Sequence, residues 1–92
     1  MINLKSIKES TNPAVGELLD LLEARSNKIL SKSNTDHTIT LRTIGLLIKI
    51  NSYWYEVYII DFFPQNIMFT GPKGKVGFNY CNIQKVEIKE MI

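Results

Sequence analysis

One cysteine and one histidine are all the thiol and imidazole that these 92 residues contain. Cys81 has no partner in the chain for a disulfide, which fits a reducing compartment. Cys81 and His37 together are too few ligands for a zinc ribbon, a zinc finger or most metallohydrolases, so neither a metal nor a cofactor is expected. Long apolar runs are missing as well. None approaches the roughly 20 residues of a membrane span, and the opening MINLKSIKES lacks the apolar stretch of a secretion signal. The expected location is the cytoplasm, with no membrane partner. Strong charge of either sign is also absent: the net charge is +2, with five basic and five acidic groups up to residue 37 and six against four beyond it. That mild excess falls short of the basic face of a dedicated nucleic-acid binder.

What remains is the composition of an ordinary folded domain, 45% hydrophobic and 22% charged. The length suits one domain over residues 1–92 with a single core. No repeat, low-complexity tract or linker divides it, and its richness in Ile, Asn and Lys fits an origin in an AT-rich bacterium or its phage.

The segment TNPAVGELLDLLEARSNKILSKSN reads as an amphipathic helix over about residues 13–32. Asn12 is a good N-cap and Pro13 suits the first helical position, where a missing N–H costs nothing. Val15, Leu18, Leu19, Leu22, Ser26, Ile29 and Leu30 recur at helical spacing, with Lys28 and Lys32 toward the negative end. Before it the pattern is ambiguous: Ile2 and Leu4 alternate as in a strand, while Leu4 and Ile7 fit a helical turn.

From about residue 38 to 90 the chain turns to β-branched and aromatic runs, a meander of about five strands. In TITLRTIGLLIKI, Ile39 and Leu41 share one parity while Ile44, Leu46, Ile48 and Ile50 share the other. One strand face cannot bury both sets, so a bulge or bend is predicted at Thr43–Gly45. Length agrees: thirteen extended residues span about 43 Å, against roughly 32 Å for a globule of this size. Asn51-Ser52 reads as a two-residue turn, and Pro64 ends the strand that follows. The expected fold is therefore α+β: an N-terminal amphipathic helix on a strongly bent antiparallel sheet. The element order resembles that of Sm-like and other SH3-type small barrels, although no Sm sequence motif is present and no site is implied. An open curved sheet fits the pattern equally well.

Two segments invite a function. In TGPKGKVGF, residues 70–78, three glycines and two lysines combine backbone access with positive charge. A P-loop would stand between a strand and a helix and close with Lys-Ser or Lys-Thr; this loop stands between strands and reads Gly-Lys-Val, so it is first a hairpin tip with Pro72 and Gly74 at its turn and Gly77 as a bulge or close contact. The second segment is YWYEVYIIDFF. If Tyr53, Tyr55, Val57 and Ile59 meet the helix, then Trp54, Tyr58, Ile60 and Phe62 face away and need another cover. That second set is the expected surface for a protein partner or for self-association as a homodimer. The alternative is weak RNA or DNA binding through Lys73, Lys75, Arg42, Tyr53 and Tyr55. Catalysis has little support. Glu56 and Asp61 lie on opposite parities of one strand, a lone cysteine after a strand is ordinarily a small buried hydrophobe, and nothing local joins Cys81 to His37. The expectation is a non-enzymatic interaction module, a regulator or inhibitor that occupies a partner's surface.

Overall fold

The computed structural model describes residues 3–10 and 12–91. Leu4 and Ile7 lie on a short helix, α1 (Leu4–Ser10), the helical one of the two readings; Ile2, on which the other reading rested, lies outside the described residues. Asn12 caps α2 (Pro13–Glu23) as expected, its Oδ1 accepting the Val15 N–H at 3.1 Å. Ala14, Val15, Leu18, Leu19 and Leu22 of α2 are buried, and Ile7 of α1 joins them.

The helix ends at Glu23 rather than near Lys32. Arg25 leaves the helical region (φ −116°, ψ 37°), and Ser26–Lys28 tighten into a single 3-10 turn. Ser and Asn compete with helical bonding through their own side chains, and the residues beyond gain a ladder by extending. They form β1 (Ile29–Asn34), paired antiparallel with the first half of β2 (Ile39–Ile50). Leu30, assigned by spacing to the helix's apolar stripe, is 67% exposed on this edge strand, and Lys28 and Lys32 stand outside the helix. β1 is the strand beyond the five expected.

The rest of the meander runs β3 (Tyr53–Phe62), β4 (Asn66–Gly71), β5 (Gly74–Asn79), a 3-10 turn at Tyr80–Asn82, and β6 (Val86–Glu90). Pairing is antiparallel in the order β1-β2-β3-β4-β5, and β6 returns to β2. β2 thus serves two neighbours on one edge, β1 along Ile39–Thr43 and β6 along Leu46–Ile50. The joint between them is the irregularity predicted from parity. Three residues, Thr43 to Gly45, face only Tyr58 of β3, and Gly45 takes φ 104° there. Buried Thr43 pins the kink, its Oγ1 donating to the Val57 carbonyl at 3.2 Å and accepting the Gly45 N–H at 3.1 Å. Without that kink, twelve extended residues would span about 40 Å, longer than the 34 Å long axis of the molecule.

Asn51 and Ser52 form the β2–β3 turn, with Asn51 at φ 58°, a value asparagine tolerates. Its side chain accepts the Gln84 N–H at 2.8 Å and donates to the Asn82 carbonyl at 3.0 Å, which fixes the entry to β6. α2 packs on β6, and α1 packs on α2. The fold is therefore α+β, with helices on the inner face of a bent six-stranded antiparallel sheet. No ladder joins β5 to β6 among the described residues, so closure into an SH3- or Sm-like barrel is not shown.

Candidate functional site

β3 carries most of the residues singled out in the sequence, and it changes face partway along. Val57 is fully buried at odd parity, while Ile60 and Phe62 are fully buried at even parity. The switch falls at Tyr58 and Ile59, beside the kink in β2, because both strands bend there together. The expected outward set therefore divides. Trp54 and Tyr58 do face away from the helices, about two-fifths exposed, but Ile60 and Phe62 belong to the core and are withdrawn from any partner surface.

On the outer face, the Tyr58 ring lies against Gly45 beside the Met91 side chain; a Cβ at Gly45 would stand 2.9 Å from the ring and 2.5 Å from Met91 Cε. Ile44, on the same kink, is 48% exposed. Further along β3, Trp54 stands opposite Lys49 of β2. Lys89 Nζ lies 4.7 Å and Lys49 Nζ 5.8 Å from its ring centroid, within cation–π reach. Lys49 also pairs with Glu87 at 3.4 Å. The surface is a band of large apolar side chains edged by charges of both signs. Lys49, Lys89 and Met91 were missed by sequence reasoning. The sequence alternates Lys85, Glu87 and Lys89 with Val86 and Ile88, which puts Lys89 on an outward parity, but nothing in it pairs β6 with β2.

The Gly/Lys segment is the β4–β5 hairpin, with Pro72 and Lys73 at its turn between paired Gly71 and Gly74. Gly77 makes neither a bulge nor a close contact, since the ladder is continuous through it and the nearest atom to its Cβ position is 3.7 Å away. The close approach is at Gly71, whose Cβ position lies 2.0 Å from the Glu56 carbonyl oxygen. β3 pairs with β4 only along Ile59–Phe62; past that ladder the two backbones still meet where Gly71 abuts Glu56, and only beyond this contact do the hairpin tip and the start of β3 part. Between them is a cleft of about 450 Å³. Trp54, Tyr55 and Glu56 line one side and residues 71–75 the other, over Phe69 and Val76. Tyr55, Phe69 and Phe78 pack as a tilted and edge-on aromatic group with centroids 5.3–6.3 Å apart.

Of the residues named for nucleic acid, the fold brings Lys73, Lys75 and Tyr55 together in this cleft. It leaves Tyr53 at the β2–β3 turn, 71% exposed, and Arg42 on the other half of the sheet, opposite Ser31 and Ile59. Those two positions do not join the cleft, because the kink in β2 separates Arg42 from it. A second groove, of about 620 Å³, has Leu4, Leu19, Leu22 and Leu41 at its floor and Lys5 and Lys32 at its rim. Lys8 of α1 bonds the Asp20 carboxylate of α2 alongside it, and that hydrogen bond raises the Lys8 pKa.

Cys81 is exposed at a turn rather than buried as a small hydrophobe, and its Sγ lies 3.8 Å from Asn82 Oδ1. His37 is exposed in the β1–β2 connection. Asp61 takes a hydrogen bond from the Thr40 hydroxyl, and Glu56 stands exposed elsewhere on the strand. No group of three His, Cys, Asp or Glu side chains among the described residues is placed to hold a metal ion. No helix among them is long and apolar enough to cross a membrane. Compared with models of protein families, with curated proteins and with solved structures, the chain has no significant match.

Proposed function

We propose that this chain is a non-enzymatic interaction module, a regulator or inhibitor that acts by occupying the surface of a protein partner. One observation carries the reading: the helices cover the inner face of the sheet, while the outer face presents Ile44, Trp54 and Tyr58 with 39–48% of each exposed. Large apolar side chains gathered on one face and edged by Lys49, Glu56, Glu87 and Lys89 have the composition of an interface core with a polar rim. Trp and Tyr are the side chains that most often dominate binding energy when a partner covers them.

Site-specific photocrosslinking in the source cell tests this. A photoreactive residue at position 54 or 58 is expected to give a discrete protein adduct, and one at position 32, on the opposite edge of the sheet, is not. A dimer-sized adduct would make the partner a second copy of the chain. Adducts of equal yield at all three positions, or at none, would overturn the proposal.

A further inference from the structure

The cleft at the β4–β5 hairpin is a separate feature that shares Trp54 and Glu56 with the outer band. We infer that it is a binding site for a nucleotide, a flat ring joined to a phosphate. Four observations point the same way. Its volume, about 450 Å³, lies within the roughly 300–1,000 Å³ of small-molecule sites. Its walls are aromatic and apolar, Trp54 and Tyr55 over Phe69 and Val76, which suits the face of a base. Lys73 and Lys75 at the lip form no ion pair with any carboxylate of the described residues, so their charge is available to an anion. The turn itself is bare, because a Cβ at Gly74 would meet nothing within 4 Å, and a phosphate can approach that backbone.

The charges also orient the ligand. Glu56 lines the β3 side, so the phosphate belongs with the lysines at the hairpin and the ring against β3. An extended peptide fits the cleft less well, since Gly71 against the Glu56 carbonyl blocks part of the β3 edge that β4 leaves unpaired. The nucleotide can be free or one unit of a single strand, and the chemistry recognised is the same.

Amide chemical-shift titration of the whole chain separates these sources. The probes are adenosine and uridine 5′-monophosphates, a short oligothymidylate, adenosine, and inorganic phosphate. Shifts at residues 54–56 and 71–77 with the monophosphates assign the free nucleotide, and shifts with the oligonucleotide alone assign the strand. With two phosphate-facing lysines, raising salt from about 50 to 200 mM is expected to weaken the oligonucleotide about sevenfold. Lys73→Gln with Lys75→Gln, both exposed and outside the core, is expected to lower affinity about tenfold, and Lys32→Gln is expected to leave it unchanged. The inference falls if no probe shifts these amides at several millimolar, or if inorganic phosphate matches the nucleotides. It falls equally if the double variant binds as the parent does.

Discussion

The three glycines of TGPKGKVGF are expected to respond to alanine in a fixed order, because each stands in a different physical situation. At Gly71 the added methyl would lie 2.0 Å from the Glu56 carbonyl oxygen, whereas carbon–oxygen contact ordinarily begins at about 3.3 Å. More than about 1 Å must be recovered by moving one backbone away from another, and no side-chain rotation can supply it. Overpacking costs about 1–3 kcal/mol where side chains can adjust, so about 3 kcal/mol is expected for Gly71→Ala. At 4–8 °C per kcal/mol for a domain of this size, the melting temperature should fall by roughly 12–24 °C. Gly74 has open space but takes φ 121°, so Gly74→Ala carries backbone strain alone, about 1–2 kcal/mol. Gly77 has neither problem, with its nearest neighbours at 3.7 and 3.9 Å, and Gly77→Ala should stay within about 0.5 kcal/mol of the parent. Urea denaturation of the three variants gives the order directly. If Gly71→Ala costs no more than Gly77→Ala, the hairpin does not abut β3, and the cleft between them loses its geometry.

Phe62→Ala should cost about 3–5 kcal/mol in the same assay and Trp54→Ala under about 1 kcal/mol, since Phe62 is fully buried and Trp54 is not; equal costs would return Trp54 to the core. Thr43→Val removes the hydroxyl that bonds the Val57 carbonyl and the Gly45 N–H, and should cost about 1–3 kcal/mol, read as a lower urea midpoint with an unchanged slope. Burial raises the pKa of the Tyr80 phenol, whose O–H donates to the Phe63 carbonyl at 2.7 Å. The folded chain therefore resists an ionisation that the unfolded chain undergoes. The Tyr80 contribution to stability is intact below about pH 10 and is then lost at up to about 1.4 kcal/mol per pH unit until the folded-state pKa is passed. Tyr80→Phe should flatten that alkaline decline, and an unaltered decline would place its cause elsewhere.

What could be read in the sequence were features whose cause lies within a few residues. The Asn12 cap, the Asn51-Ser52 turn and the stop at Pro64 are local chemistry, and the parity conflict between Leu41 and Leu46 forces a kink whatever the neighbours are. The end of α2 was not legible in the same way. Ile29 and Leu30 continue the helical spacing, and only the ladder offered by Ile39–Thr43 pulls them into a strand. The same limit governed the site. Strict alternation placed Ile60 and Phe62 beside Trp54, and that holds until β3 meets the kink of its neighbour and changes face between Val57 and Ile60. A kink in one strand thus decides which aromatic and aliphatic residues of the next can meet a partner. The kink also separates Arg42 from Lys73 and Lys75, so the two hairpin lysines line the cleft without it. The cleft itself depends on a contact between residues 56 and 71 that no short window contains. Side-chain types at the site were therefore visible in the sequence, but their grouping was not, because grouping is set by where strands cease to pair.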